Sequence, residues 1–114
     1  RFAISVTGIS IDNDGTLGSI SMPVPEKSTL VRAYSIVAGA TTNAATTVTL
    51  SRNATAITNG VITIADAAVV DEVDSCTPTA ANAFTAGDVL NGAVATTSTG
   101  NATINFVALF QRAM

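Results

Sequence analysis

Short runs rich in Val, Ile and Thr alternate in period two along the whole chain, broken at intervals by Gly, Asn, Asp and Pro. A two-residue repeat places successive side chains on opposite faces of a strand, whereas a helix repeats every 3.6 residues. The pattern therefore admits strands and excludes a helical architecture. About eight such runs at this spacing predict an all-β fold, an antiparallel β-sandwich of the jelly-roll kind, filling residues 1–114 as a single domain.

The runs can be read one by one. Phe2, Ile4 and Val6 share a face in residues 2–7, as do Thr16, Gly18, Ile20 and Met22 in residues 16–22. Asp12-Asn13-Asp14-Gly15 between them reads as a hairpin turn, because Asp-Gly tolerates positive φ. Its oxygen ligands suit calcium, but the glycine and glutamate positions of an EF-hand loop are not met. Met22-Pro23-Val24-Pro25 ends a strand, since proline removes a ladder donor. Residues 29–38 form a long strand with Leu30, Arg32, Tyr34 and Ile36 on one face and Val31, Ala33, Ser35 and Val37 on the other. Residues 39–45 are a loop and residues 46–52 the next strand.

Asn59-Gly60 reads as a two-residue hairpin turn pairing Thr58 with Val61 and Ile57 with Ile62, with Thr55, Ile57, Ile62 and Ile64 facing the core. Residues 66–87 lack clear alternation, and a short helical turn is expected at 77–82 with Thr77 as its cap and Pro78 at its first position. This excursion is expected to cover a sandwich edge or reach a neighbour. Strands resume at 88–95 and 102–112. The last alternates Ile104, Phe106, Ala108 and Phe110 against Asn105, Val107, Leu109 and Gln111. Two strands apolar on both faces suggest central strands, or strands covered by a neighbouring subunit.

Composition removes much chemistry. Charged residues make up 11% of the chain against an ordinary figure of roughly 25%, and Ala with Thr supplies about a third. There is no histidine, so Ser-His-Asp and Cys-His arrangements and histidine metal sites are excluded. The single cysteine, Cys76, cannot close an intrachain disulfide, and the acidic residues just before it disfavour a reactive thiolate. No catalytic residue, metal ligand set or cofactor site emerges. A net charge of −3, five scattered cations and 4% aromatic residues argue against nucleic acid. No apolar run approaches the roughly 20 residues of a membrane-spanning helix, so no membrane partner is expected, and no signal peptide opens the chain. Initiator-methionine removal does not normally expose an arginine, so residues upstream of Arg1 are expected.

Some residues remain as candidates for contact. Asp66, Asp71, Glu72 and Asp74 form the one acidic cluster, read as a solvated loop. Asn53-Ala54-Thr55 and Asn101-Ala102-Thr103 match the glycosylation triplet in a chain where threonine makes such matches common. Arg32 stands beside Tyr34 within an apolar strand, where a guanidinium either snorkels to a rim or pairs across a subunit interface.

From Val31 to Phe110 the order of elements resembles a family of small bacteriophage capsid decoration (cement) proteins. An aliphatic strand and a Gly/Ala/Thr loop lead to Thr-Val-Thr-Leu at 47–50 and Asn-Gly-Val-Ile-Thr-Ile at 59–64. An acidic linker, Pro-Thr-Ala-Ala-Asn at 78–82, Ala-Gly-Asp-Val-Leu at 86–90 and a final strand follow. The resemblance covers about two thirds of the chain. It implies a β-sandwich or jelly-roll domain forming homotrimers on the outer surface of the virion, with the major capsid protein and its own copies as partners, and neither catalysis nor cofactor. Ends and long loops extend most easily from a sandwich, so Arg1, Phe2 and Ile4 in residues 1–6 and Asp71, Glu72 and Asp74 in residues 66–82 are expected at the interface, together with Arg32 and Tyr34. The rival expectation is a tail- or head-fibre domain that recognises a cell-surface glycan or receptor. An enzyme is the weakest reading.

Overall fold

The computed structural model describes residues 1–11, 17–39, 42–98 and 102–112. These form nine strands: β1 (Phe2–Ser10), β2 (Ser19–Pro23), β3 (Ser28–Val37), β4 (Thr46–Arg52), β5 (Thr55–Ile64), β6 (Val73–Cys76), β7 (Ala83–Phe84), β8 (Val89–Thr96) and β9 (Thr103–Arg112). One sheet runs β1-β9-β3-β6, with the two-residue β7 also on β3, and the other runs β2-β8-β4-β5. All ladders are antiparallel. Five of the pairings are nested in sequence: β1 with β9, β2 with β8, β3 with β6 and with β7, and β4 with β5. Successive nested pairs fall alternately in one sheet and the other, which is the winding of a jelly roll.

The core forms where the two inner faces meet. Phe84, Phe106, Phe110, Leu30 and Ile104 come from one sheet, and Ile20, Leu50, Ile62, Ile64 and Leu90 from the other, all essentially inaccessible to water. Phe110 stacks on Phe2 at 5.1 Å and meets Phe84 edge-on at 5.6 Å, both within the range where ring pairs attract. Gly92 is required at its place in β8. A Cβ there would lie 2.9 Å from Cδ1 of Ile20 and 3.3 Å from Cδ2 of Leu50, so the flanking strands close over an absent side chain.

Three bulges decide which residues reach this core. In β1, Val6 pairs with Phe106 but Ile9 with Ile104, leaving one extra residue on β1. Gly8 adopts φ +69° there, and its N–H donates to Oδ1 of Asn105. Phe2, Ile4 and Val6 pack against the core before the bulge, and Ile9 and Ile11 are buried after it. In β3, Leu30 pairs with Phe110 and Arg32 with Leu109, so Val31 is the extra residue. Leu30 is consequently buried while Arg32 is exposed, which corrects the expectation that the two share a face.

The third irregularity lies between β4 and β5 and overturns the Asn59-Gly60 hairpin. β5 continues through both residues, and the reversal occurs instead at Asn53-Ala54, with Arg52 paired to Thr55 and Asn53 at φ 53°. Asn59 still uses its tolerance of positive φ, at 57°, but it kinks β5 so that Thr58 pairs with Ala80 and the Asn59 amide donates to Thr79 Oγ1. Ile57, Ile62 and Ile64 are buried as expected, whereas Thr55 is exposed.

Two further expectations change. Asp12-Asn13-Asp14-Gly15 lies outside the described residues, but the flanking strands do not form a hairpin, since β1 and β2 belong to different sheets. Residues 77–82 are bridged to β5 instead of helical, with Ala81 at φ 55°, because the Thr58 N–H donates to Ala80 C=O and the Thr79 N–H to Thr58 C=O across the kink. The excursion at 66–87 does cover an edge, through β6 and β7 on β3.

Candidate interaction surface

Alternation in β1, β9, β3 and β6 gives this sheet an outward face, on which Tyr34, Ile36, Val73, Val107 and Leu109 are apolar, with Ser75 and Asn105 among them and Ala3 and Ser5 contributed by β1. Across the ladders, Tyr34 lies level with Val107 and Ser75, Ile36 with Asn105 and Val73, and Arg32 with Leu109. Val73 is 57% exposed, and Tyr34, Ile36, Val107 and Leu109 are half-buried. Tyr34, Ser35, Ile36, Val73, Asn105 and Val107 line a shallow depression of about 200 Å³. Val69 and Val70, 57% and 49% exposed, stand in the segment leading into β6.

Charge on this face is sparse, with Arg32 midway along β3 and level with Leu109. Arg32 is exposed, with its guanidinium 6.0 Å from the centre of the Tyr34 ring. At the C-terminal end of β3, the N–H of Asp71 donates to Val37 C=O at 2.8 Å and the N–H of Val37 to Glu72 C=O at 3.0 Å. Asp71 is exposed and Glu72 half-buried. The one described ion pair joins Arg112 to Glu26, at the pole where Arg112 also lies over the Phe2 ring. Arg32, Asp71 and Glu72 thus have no salt-bridge partner among the described residues.

The expected contact residues divide. Arg32 and Tyr34 lie on the face, and Asp71 and Glu72 at its end. Asp74 pairs with the buried Ser35, on the side opposite Tyr34 and Val73, with one carboxylate oxygen buried and unpartnered among the described residues. Residues 1–6 do not extend from the sandwich, because β1 is laddered to β9 and Phe2 and Ile4 pack against the core. Arg1 donates to Gln111 at the same pole. Ile36, Val73, Val107 and Leu109 escaped notice as candidates, and the signal for three of them was the double apolar face of residues 29–38 and 102–112.

The remaining chemistry is structural. Burial pushes the Cys76 thiol above its ordinary pKa, so it stays protonated and unreactive at neutral pH. Asp88 is held below the usual carboxylate range, first by the Thr85 N–H and then by the Asn53 amide. Asn53 also accepts from the Val89 N–H, so the first glycosylation-like triplet clamps the β4–β5 turn to β8. Asn101 of the second lies outside the described residues. No group of three His, Cys, Asp or Glu residues is placed to hold a metal ion among the described residues, and no described helix is long and apolar enough to cross a membrane. No protein-family model, curated protein or solved structure matches the chain.

Proposed function

We propose that this chain is a structural virion protein that decorates and stabilises a bacteriophage capsid, binding as trimers across neighbouring major capsid subunits on the outer surface. The observation that carries this reading is the aliphatic outward face of the β1-β9-β3-β6 sheet. Contiguous apolar surface on a stable sandwich marks a place of contact, since leaving it in water gains nothing and invites association. The near absence of charge on that face fits burial against protein, because charges are depleted at the centre of such interfaces.

The mechanism needs no bond to be made or broken. A chain that binds the assembled shell and not its free subunits stabilises the shell by mass action, and multiple contacts within one trimer multiply a modest contact affinity. Quantitative mass spectrometry of purified parent particles tests the reading. Copies in near-stoichiometric ratio to the major capsid subunit are expected. A few copies per particle would point to a fibre component instead, and absence from the particle would overturn the virion assignment.

A further inference from the structure

The chain contains two Asn-Gly dipeptides, Asn59-Gly60 and Asn91-Gly92. Asparagine before glycine is the sequence most prone to lose its side-chain amide spontaneously, because glycine has no side chain to hinder attack of its backbone nitrogen on the asparagine Cγ. Packing retains both glycines. A Cβ on Gly60 would lie 2.9 Å from Cβ of Ile57 and 3.0 Å from its carbonyl oxygen, as close as the contact already described at Gly92. The two differ in how each peptide is held, since ring closure requires the peptide plane to turn until the nitrogen meets Cγ. Asn91 sits inside β8, paired with Ser21 on β2 and Ser51 on β4, and its amide donates to Asn53 C=O at 2.8 Å. Gly92 is likewise paired on both sides, with Ile20 and Leu50, and is buried. Asn59-Gly60 lies on β5, the last strand of the same sheet. Its ladder to β4 passes from Val61 with Thr49 to Ala56 with Ser51, so residues 57–60 bulge out of it. The anchors there are the bridge from Thr58 to Ala80 and the bond from the Asn59 amide to Thr79 Oγ1 at 2.9 Å, both between exposed residues.

We propose that Asn59 is a site of spontaneous deamidation in the folded chain, restrained by Thr79, and that Asn91 is not. An edge strand and a bulge let the Asn59-Gly60 peptide open locally at low cost, whereas turning the Asn91-Gly92 peptide breaks ladders on both sides. The Gly60 nitrogen bonds to Asn59 Cγ, the Cγ–Nδ2 bond breaks, and ammonia leaves with the proton that the Gly60 nitrogen gives up. Water then opens the cyclic imide at either carbonyl. One opening gives aspartate, and the other gives isoaspartate, with the side-chain carbon drawn into the main chain. Either product exchanges the donor that met Thr79 Oγ1 for a carboxylate and adds a negative charge at the kink. Isoaspartate also lengthens β5 where it is bridged to residues 79–80. The inference depends neither on the capsid nor on self-association.

Timed incubation of the purified chain in mildly alkaline buffer, folded and in denaturant, tests it. Cleavage after Glu72 puts Asn59 and Asn91 on different peptides, and mass spectrometry reads the conversion of each. In denaturant the two are expected to convert at similar rates, since both precede glycine. In the folded chain Asn59 is expected to convert at least about tenfold faster than Asn91, because the central strand must open more widely before it can react. Thr79→Val, at an exposed position, removes the acceptor and is expected to speed Asn59 about threefold, the scale of one hydrogen bond, without moving Asn91. Circular dichroism checks that this variant remains folded. Equal rates at the two sites in the folded chain, including no conversion at either, or faster conversion of Asn91 would overturn the site assignment. An Asn59 rate untouched by Thr79→Val would overturn the restraint.

Discussion

The two outward faces of the sandwich are built on the same alternation over the same core, yet they present opposite chemistry. On the β2-β8-β4-β5 sheet, Ser19, Ala93 and Thr49 lie level across the strands, as do Thr63, Thr47 and Ala95. Val61, at 44% exposure, and the half-buried Val89 are the large aliphatic residues there. On the β1-β9-β3-β6 sheet the corresponding positions hold Tyr34, Ile36, Val107 and Leu109. Threonine keeps the β-branched shape that suits a strand while offering water a hydroxyl, so the first face is well solvated. The second gains nothing by being exposed. β-Propensity alone does not explain the choice, and the proposed contact with another surface would.

The largest test concerns the core that both faces share. Phe110→Ala removes a buried ring held between Phe2 and Phe84 and should cost about 3–5 kcal/mol by chemical denaturation. A loss below about 1 kcal/mol would mean that the two sheets do not depend on this packing. Neighbouring residues on β8 make a sharper contrast. Gly92→Ala forces a methyl between Ile20 and Leu50 and should cost about 1–3 kcal/mol, while Ala93→Thr, one residue away on the hydroxyl-rich face, should stay within about 0.5 kcal/mol.

Substitution on the faces themselves separates stability from association. Val107→Thr with Leu109→Thr should weaken self-association by about tenfold or more while changing the unfolding free energy of the monomer by less than about 1 kcal/mol. Thr47→Val with Thr49→Val on the other sheet should leave any self-association unchanged. Equal effects from both pairs would erase the distinction between the faces.

The smallest expected effect lies at the corner that joins β4, β8 and the turn before it. Asp88 has a folded pKa below its unfolded value of about 3.9, so its carboxylate stabilises the fold above that pH, and the contribution is lost as pH falls through the folded value. Asp88→Asn should therefore be less stable than the unmodified chain at pH 7, with the gap narrowing below about pH 4. Denaturation curves at the two pH values check the sign, and a gap that widens in acid would contradict it.

Much of this architecture was legible in the pattern of residues. Strands β3, β4 and β9 follow directly from period-two alternation, and β4 begins and ends at the residues expected. Local signals misled where a tertiary partner reused them. Asn59-Gly60 has the dihedral freedom of a hairpin turn, but the kink it makes is held by Thr79 and Ala80, some twenty residues away. β6 and β7 are short strands with little alternation to see, and they exist because the β3 edge supplies their hydrogen bonds. The bulge at Val31 is equally silent in sequence, and it alone separates the buried Leu30 from the exposed Arg32. The candidate face was half visible, since double apolar strands announced surface awaiting cover without saying which side was the core.

Tyr34, the only tyrosine in the chain, sits on the face in question and serves as its natural reporter. The most direct measurement is its rate of nitration, read by mass spectrometry of the peptide that contains it, in the chain diluted to monomer and in the chain on purified particles. Strong protection on the particle, with ready reaction in the dilute chain, is the result expected if this face is covered in the working assembly. Equal rates in both states would show that the aliphatic face remains open and would contradict the account.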